Sequence, residues 1–578
     1  MTKIFNDPAD FADEALAGFC DAHSDLVRQV DGGAVRRNRP ASPKVAVITG
    51  GGSGHYPAFA GIIGPGFADG AVVGNIFTSP SSQQAYSVAK AADSGAGVVF
   101  TYGNYAGDVM NFGMASERLN AEGIRAENVL VTDDIASASP GEIGKRRGIA
   151  GDFVVFKVMG AAAEAGLDLD AVVRLGRKAN GLTRTIGTAF GGCTFPGADQ
   201  PLFRLPEGQM GLGLGIHGEP GLFDTELPSA VELGRELVRR VLAETPAGAS
   251  RRLAVILNGL GSTKHEELFV LWRTVAPLLR EAGYTLVMPE VGELVTSLDM
   301  AGASLTLTWL DDELEQYWTA PALTPAYRRG SVGFDAGVSE VVHEDSATET
   351  ADYSSTAESR AYAAQCLSAL DTTASLLRAS ESMLGDMDAI AGDGDHGRGM
   401  VRGSAAANEA AATAFERGAG AGSVLIAAGD AWADKAGGTL GVLWGAGLRA
   451  FGERLGDAET PTPDVLAESV RAFADRIAGL GKAEMGDKTM MDALLPFAAS
   501  LEERIASGIP VEEAWAVAAT DASAAAASTA DLRPLKGRAR PLAEKSLGTP
   551  DPGATSLAMV FTAVGPHFTA VPVAAVTN

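Results

Sequence analysis

The chain has 578 residues, which at about 150 residues per domain predicts two to four domains. Hydrophobic residues make up 46% of it and charged residues 20%, as in an ordinary globular protein with large cores. The formal net charge of −26 argues against nucleic acid or an anionic membrane surface as a partner. Any phosphate bound by so acidic a chain must be held locally, by metal, backbone N–H groups and a few basic side chains.

Zinc and redox motifs are absent, because Cys20, Cys193 and Cys366 form no CxxC pair. This cysteine usage indicates a reducing compartment. The N-terminus is polar and acidic, unlike a signal peptide, and no run of about 18 apolar residues predicts a membrane span. We therefore expect a cytoplasmic protein without nucleic-acid or membrane partners.

The chain opens with an amphipathic helix, predicted at about 8–30. The apolar, β-branched run 44–49 then predicts a buried strand. It leads into the glycine-rich turn 50–57, GGGSGHYP, where backbone N–H groups can approach a ligand closely. The turn does not match the GxGxxG fingerprint, and the chain has no GxxxxGK[ST] loop. A nucleotide site would have to be built in another way.

Strand-like and helix-like runs continue to alternate, at 71–77, 83–92, 97–100, 109–122 and 128–132. This pattern predicts an α/β domain with a mostly parallel sheet, whose ligands gather at the carboxyl ends of the strands.

A second α/β half is predicted further along the chain. It includes a glycine-dense segment at 211–220 around His217, a buried strand at 252–257 and a helix–turn–strand unit at 293–308.

The composition changes at about 336–356, a polar, acidic, Ser- and Thr-rich stretch that we interpret as an interdomain linker. Beyond it the chain is alanine-rich, with helical segments separated by Gly and Pro. The clearest predicted helices are 404–415, 424–435, 463–479, 490–507 and 511–528. They predict an all-helical bundle or barrel.

The run 388–397, DAIAGDGDHG, places Asp388, Asp393 and Asp395 within eight positions. Carboxylates this close repel one another unless a cation lies among them, and oxygen-only ligands suit a hard cation. The run does not fit the EF-hand template, whereas an open carboxylate cup beside glycines suits Mg²⁺ that keeps sites free for phosphate oxygens. A solvated acidic turn is the alternative, since Asp and Gly are common turn residues.

Five motifs follow one another as they do in the single-chain, ATP-dependent dihydroxyacetone kinase family: GGGSGH, NYAGDVMNFG, GIHGEPG, GELVTSLDMAGASLTL and AGDGDHG. Each alone is weak evidence, but together they make the chain resemble that family over nearly its whole length. The resemblance implies a ketose-binding α/β domain of two halves at 1–335, a linker at 336–356 and an ATP- and Mg²⁺-binding all-helical domain at 357–578. It further implies an ATP:ketose phosphotransferase, and we expect a homodimer.

The resemblance assigns roles to residues of the first domain. His217 would form a covalent hemiaminal with the ketose carbonyl, a bond that selects ketoses over polyols such as glycerol. His55 and Asp108 would act as an acid/base pair on the substrate hydroxyls, and Gly52 and Ser53 would line the same pocket. As alternatives, His217 is a structural histidine in a glycine-rich loop, His55 a turn residue and Asp108 a helix cap.

In the second domain the resemblance implies that Asp388, Asp393 and Asp395 hold the Mg²⁺ ions that bridge the ATP phosphates. Phosphate and nucleotide contacts would fall on His396, Gly438, Thr439, Gly486, Arg538, Asp551 and Gly553. Lys488 and Arg538 would neutralise phosphate charge. The alternative for the later segments is that they are helix caps and turns.

Two positions depart from the family's pattern. Gly103 stands where many members carry a Lys that touches a substrate hydroxyl, and Tyr56 stands where the GGGSGHEP form has Glu. We infer that the substrate-binding pocket, including position 103, has altered shape and polarity. We hypothesise that it accepts a ketose longer than three carbons, most simply the tetrulose erythrulose.

Two other functions compete with an ATP-dependent kinase. Some relatives keep ADP bound and take phosphate from a phosphoprotein partner, but their two domains are usually separate chains, so fusion favours free ATP. A non-catalytic ketose-binding regulator would be expected to have lost motif residues. Here His55, Asp108, His217 and the three aspartates are all present.

Replacing Gly103 by Lys is expected to shift substrate preference from a tetrulose towards dihydroxyacetone, because it restores a charged donor and refills the pocket. The measurement is the ratio of kcat/KM for the two ketoses, in G103K and in the unsubstituted protein. An unchanged ratio would show that the pocket argument is wrong.

Overall fold

The computed structural model describes residues 2–38, 40, 42–332, 353–392, 394–536 and 543–568. Most of the predicted linker, together with Asp393 and Arg538, lies outside the described residues. The chain divides into two compact units, Met1–Val341 and Val342–Asn578.

The first unit is built of alternating strands and helices. Its helices are α1 (Phe11–Ala22), α2 (Ser82–Ala92), α3 (Ala106–Ala121), α4 (Gly151–Glu164), α5 (Leu169–Gly181), α6 (Ala230–Ala243), α7 (His265–Glu281) and α8 (Asp312–Thr319). Its strands are β1 (Val27–Val30), β2 (Gly33–Arg36), β3 (Ala46–Ser53), β4 (Gly70–Ile76), β5 (Val98–Gly103), β6 (Ala126–Val131), β7 (Thr183–Ala189), β8 (Gln209–Leu212), β9 (Phe223–Glu226), β10 (Arg252–Gly259), β11 (Thr285–Leu286), β12 (Glu290–Gly292), β13 (Gly302–Trp309), β14 (Ala322–Leu323) and β15 (Arg328–Arg329).

The first sheet has the order β1-β2-β4-β3-β5-β6. Strands β4, β3, β5 and β6 are parallel, and β2 and β1 are added antiparallel at one edge. Side chains alternate between two cores: Ile48 and Phe100 pack with residues of α2 and α3, whereas Val47 and Val99 pack with residues of α4 and α5. Burial on both faces explains the continuous apolar runs and confirms the predicted α/β class.

The second sheet has the order β11-β10-β13-β7-β8-β9, with β12 also pairing with β10. Its pairs are antiparallel except for those of β10 with β11 and β12. The helix predicted within 293–308 is wrong, because residues 293–301 form turns before β13. The predicted first helix also ends early, at Ala22, and β1 follows it.

Long-range hydrogen bonds explain why residues 293–301 are not helical. The N–H groups of Thr296 and Leu298 donate to the carbonyls of His55 and Gly54, and the Ser297 N–H donates to Leu260 O. Backbone groups used in this way cannot form a helical ladder. The segment is thereby fastened to the glycine-rich turn that follows β3.

All regular secondary structure in the described residues of the second unit is helical. Its helices are α9 (Ala357–Ala379), α10 (Glu381–Asp388), α11 (His396–Glu416), α12 (Ala421–Ala436), α13 (Gly438–Leu455), α14 (Pro463–Gly481), α15 (Met491–Ala506), α16 (Val511–Ser528), α17 (Ala543–Ser546) and α18 (Pro552–Val564). The longer ones close a ring in which each packs against two neighbours, in the order α9-α11-α12-α13-α14-α15-α16-α18 and back to α9. This confirms the predicted helical barrel.

Glycines let neighbouring helices of the ring approach closely. A Cβ at Gly429 of α12 would lie 2.6 Å from Gly445 O of α13, so a larger residue there would separate the two helices. Aromatic side chains pack together in the core, with Trp432 stacked on Trp444 and Phe497 against Phe561. Among the described helices of the chain, none is both long and apolar enough to cross a membrane.

Candidate active site

The glycine-rich turn places His55 at the carboxyl end of β3. A Cβ at Gly52 would lie 2.5 Å from Thr78 N, so a residue with a side chain would push segment 77–78 away from β3. The Ser53 hydroxyl donates to Gly74 O at 2.6 Å and fixes the end of the strand to β4. His55 follows with only 2% of its surface exposed.

His55 and His217 meet through their Nε2 atoms, 3.1 Å apart. On the other side of its ring, His55 Nδ1 lies 2.7 Å from Thr296 O. His217 Nδ1 lies 2.9 Å from Glu219 Oε1, and the His217 N–H donates to Glu219 Oε2 at 3.0 Å. The structure therefore brings together two predicted site residues from motifs 162 positions apart.

The hydrogen-bond partners determine where the protons lie. Thr296 O can only accept, so His55 carries its proton on Nδ1 and its Nε2 is an acceptor. The Glu219 carboxylate likewise accepts from Nδ1–H of His217. The contact between the two Nε2 atoms is then a hydrogen bond only if His217 also carries a proton on Nε2. A His217 ring with protons on both nitrogens would donate to Glu219 and to His55.

Charges around the pair agree with this assignment. Burial and the neighbouring His217 together lower the pKa of His55 to about 3. Burial opposes ionisation of Glu219, but His217 and Arg147 outweigh it and lower the pKa of this carboxyl. Arg147 lies 3.8 Å from Glu219 and 2.8 Å from Asp134, so two carboxylates share one guanidinium.

Aromatic rings enclose the histidine pair. Phe77 stacks on His55 with ring centroids 5.0 Å apart and meets His217 edge-on at 4.9 Å. Tyr105, between β5 and α3, meets His217 edge-on at 4.8 Å. Tyr56, in contrast, is 52% exposed and packs edge-on against Phe19 of α1. Its side chain contributes to the surface beside the turn.

The other predicted residues of this unit lie at the ends of β5 and in α3. Gly103 is the last residue of β5, and a Cβ there would lie 3.1 Å from Tyr105 Cε2. Asp108 is buried in the first turn of α3. It does not occupy the cap position, which belongs to Tyr105. The alternative of a capping aspartate therefore fails.

Sequence reasoning missed Glu219, Tyr105 and Thr296. Glu219 could have been found, because it is the acidic residue two positions after His217 in the GIHGEPG motif. Thr296 acts through its backbone carbonyl, which no side-chain pattern reports.

In the second unit, α10 ends at Asp388 and α11 begins at His396, directly after Asp395. The His396 N–H lies 3.4 Å from Asp388 Oδ2, and its Nε2 lies 3.0 Å from Ser556 Oγ of α18. The first turns of α11 and α18 therefore lie side by side. Asp551 caps α18 by accepting from Ala554 N–H at 2.7 Å.

Several carboxyls lie close together at this end of the barrel. Desolvation of the carboxyl and the charge of Asp388 together raise the pKa of Asp395 to about 6. Burial also raises the pKa of Asp551 to about 7, with contributions from Asp492 and Asp388. Mutual repulsion among oxygen-only donors fits a hard divalent cation such as Mg²⁺. The described residues contain no group of three or more potential ligands in metal-binding geometry, and Asp393 lies outside them.

The remaining predicted nucleotide contacts are turns and helix starts. Gly437 and Gly438 have φ of 69° and 61°, a left-handed conformation that glycine adopts without strain, and exposed Thr439 follows in the first turn of α13. Gly486 donates its N–H to Asp492 Oδ1. Gly553 lies in the first turn of α18. Helix N-termini of this kind can bind phosphate through their free backbone N–H groups.

Lys488 makes hydrogen bonds within the second unit. Its Nζ donates to Leu532 O at 3.2 Å and to Ser546 O at 2.7 Å. The ammonium group therefore holds two chain segments together, and its neutralisation of phosphate charge stays a prediction.

Comparisons with known proteins agree with this two-part architecture. A Dak1 domain model matches residues 17–326, and a DAK2 domain model matches residues 390–565. A D-erythrulose kinase of Mycolicibacterium smegmatis is 59% identical, over 97% of this chain and 97% of its own. An L-erythrulose kinase of Pectobacterium atrosepticum is 54% identical, over 98% and 96%.

Solved structures align with the whole chain as well. The dihydroxyacetone kinase of C. freundii in its native form aligns with a TM-score of 0.53 and 30% identity, over 98% of this chain and 99% of that chain. A structure of the C. freundii kinase in complex with AMP-PNP and Mg²⁺ aligns with a TM-score of 0.52 and 29% identity.

The burial of His55 predicts that the first unit loses stability as the pH falls below about 6.5. His55 has a pKa of about 3 in the folded protein and about 6.5 in an unfolded chain. Between these pH values the unfolded state binds a proton on His55 that the folded state does not bind. The free energy of unfolding therefore falls by up to about 1.4 kcal/mol per pH unit as the pH is lowered.

Urea unfolding at pH 7.5 and pH 5 measures this effect. We expect the His55→Gln variant to lose less free energy of unfolding between the two pH values than the unsubstituted protein. His265→Gln, at an exposed position of α7, is the matched control. Equal pH dependence in His55→Gln and the unsubstituted protein would contradict the prediction.

Proposed function

Because this chain belongs to the dihydroxyacetone kinase family and is a kinase, we propose that it transfers the γ-phosphoryl group of ATP to a terminal hydroxyl of a short-chain ketose. The observation that carries the proposal is the contact of His217 Nε2 with His55 Nε2, with the half-buried Glu219 carboxylate on the other side of the His217 ring. The substrate is erythrulose or dihydroxyacetone. Relatives 59% and 54% identical, which are named as kinases of D- and L-erythrulose, support the tetrulose.

His217 binds the ketose by adding to its carbonyl carbon. The proton on His217 Nε2 moves to His55 Nε2, and the freed lone pair forms a bond to carbon as the C=O π electrons move onto oxygen. His55 then gives its proton to that oxygen. The product is a hemiaminal in which the ring keeps its Nδ1 proton and its positive charge. Charge and protons are conserved.

The surroundings of the pair suit this sequence. A His55 ring with a pKa of about 3 holds a proton only transiently and so passes it on readily. Glu219 orients the His217 ring by accepting from its Nδ1–H. Its negative charge lies next to the positive charge that the His217 ring keeps in the hemiaminal. The positive charge of Arg147 in turn holds Glu219 in place. In this reaction His217 bonds to the substrate, His55 transfers the proton and Glu219 orients the His217 ring.

Phosphoryl transfer requires positioning of the ketose and neutralisation of the phosphates. Asp108, buried in the first turn of α3, accepts the proton of the attacking hydroxyl. Asp388, Asp393 and Asp395 would hold Mg²⁺, which when bound supplies charge neutralisation for the ATP phosphates. His396 and the N-terminal turns of α13 and α18, with Gly438, Thr439 and Gly553, provide hydrogen-bond donors for phosphate oxygens.

Release of ADP from MgATP tests the proposal. The purified protein is expected to release ADP with dihydroxyacetone and with D- or L-erythrulose but not with glycerol, which has no carbonyl carbon to accept His217. Replacing His217 by Ala should lower kcat/KM for the ketoses by about 10²–10⁴-fold. His265→Ala, at an exposed position, is the matched control.

Turnover of glycerol as fast as of a ketose, or a His217→Ala variant with undiminished kcat/KM, would contradict the proposal. Turnover that occurs with a phosphoprotein donor and not with ATP would point instead to a phosphoryl relay.

A further inference from the structure

The ring of Phe77 packs against both histidines of the candidate active site. It lies nearly parallel to His55, at an interplanar angle of 15° and a centroid distance of 5.0 Å. It meets His217 at 72°, with centroids 4.9 Å apart. The two imidazole rings themselves meet at 74°. One aromatic side chain therefore contacts both partners of the 3.1 Å approach between the Nε2 atoms.

The backbone at Phe77 adopts a conformation that a bulky residue rarely takes. The Thr78 N–H donates to Asn75 O at 3.0 Å and closes a four-residue turn in which Phe77 is the third residue. The φ of Phe77 is 53°, in the left-handed region where glycine or asparagine is usual at this place in a turn. An aromatic residue here costs backbone free energy that glycine would avoid, which indicates that the ring has a role.

Glycines of the neighbouring turn leave the space that Phe77 occupies. A Cβ at Gly54 would lie 2.8 Å from Phe77 Cε1, and a Cβ at Gly52 would lie 2.8 Å from Phe77 Cα. The Phe77 N–H also donates to Ser53 O at 3.0 Å, which ties the residue to the same turn. Two glycines of the turn that presents His55 are therefore fitted to Phe77.

A second residue with a left-handed backbone lies against the same glycine. Leu298 has a φ of 52°, and its N–H donates to Gly54 O at 2.7 Å. A Cβ at Gly54 would lie 3.2 Å from Leu298 Cδ2. Strained backbone of this kind persists where the surrounding structure fixes it, and it is concentrated at functional sites. Phe77 and Leu298 thus hold the turn that presents His55 from two sides.

We propose that Phe77 is a positioning residue of the kinase reaction, whose ring holds the two imidazoles with their Nε2 atoms facing and keeps water out of the path of the proton between them. The inference rests on the proposed function and adds to it a residue that acts through His55 and His217. The proton that moves to His55 has to be returned to the product. A water molecule beside the imidazole would offer that proton another acceptor.

The protonation of His55 reports on the Phe77 ring, because few charged groups act on it. His217 and Glu219, both in the loop between β8 and β9, are the titratable groups that influence its pKa. Its other neighbours are phenylalanine rings and the Thr296 carbonyl. Burial, the largest cause, and His217 together lower the pKa of His55 to about 3. Removing the Phe77 ring should therefore raise that pKa towards the ordinary value of about 6.5.

The test measures kcat/KM at pH 7.5 and pH 5.5, by ADP release with the better of erythrulose and dihydroxyacetone. Phe77→Gly, which adopts the left-handed conformation without strain, should lower kcat/KM at pH 7.5 by about 10²-fold, since even a small misplacement of reacting groups can cost that much. Between pH 7.5 and pH 5.5 this variant should lose about tenfold more than the unsubstituted protein. The reason is that a His55 ring with a pKa near 6.5 is mostly protonated at pH 5.5 and cannot accept the proton.

Phe77→Leu, which keeps apolar bulk but not the flat ring, should show both changes to a smaller degree. Phe67→Leu is the matched control. Phe67 is fully buried in the same unit, where its ring packs on Phe153 and Tyr327 and contacts neither histidine. We expect Phe67→Leu to have the same pH dependence as the unsubstituted protein.

A role in folding alone would lower kcat/KM by the same factor at both pH values. An unchanged pH dependence in active Phe77→Gly and Phe77→Leu variants would overturn the inference and leave the proposed function standing. If Phe77→Gly does not fold, Phe77→Leu decides by the same measurement. If the unsubstituted protein turns over no ketose, the proposed function fails and the inference fails with it.

Discussion

The proposed chemistry of the first unit depends on one contact, the approach of two histidine Nε2 atoms to 3.1 Å. Two neutral rings that each donate from Nδ1 would face each other with lone pairs and repel. A proton on His217 Nε2 that is donated to His55 Nε2 would remove that conflict. In the proposed reaction His217 becomes a nucleophile when this proton moves to His55, which can then return it to the product.

The fold meets this constraint by joining three distant segments. The turn after β3 supplies His55, the loop between β8 and β9 supplies His217, and residues 293–301 supply the Thr296 carbonyl. Two separate sheets meet here, and β3 contributes the end of a parallel strand, where ligands commonly bind in α/β folds. The rings of Phe59, Phe77 and His217 pack around His55 and bury it, which explains its low pKa.

Local patterns in the sequence predicted most of the fold. Apolar runs of strand length, helical periodicity and glycine turns identified the α/β class and the barrel helices, and the shared motifs indicated His55, Asp108 and His217. What local patterns cannot report is long-range pairing. The helix predicted within 293–308 does not form, because the bonds of Thr296 and Leu298 to His55 and Gly54 join segments more than 200 residues apart.

The central claim is that the ketose is held by a covalent bond to His217. Carbon-13 NMR of the protein with erythrulose labelled at the carbonyl carbon, without nucleotide, tests it most directly. The account predicts that the bound signal moves from the ketone region to that of a tetrahedral carbon bonded to nitrogen and oxygen, and that His217→Ala abolishes this signal. A bound label that remains in the ketone region, in protein that phosphorylates the same ketose, would contradict it.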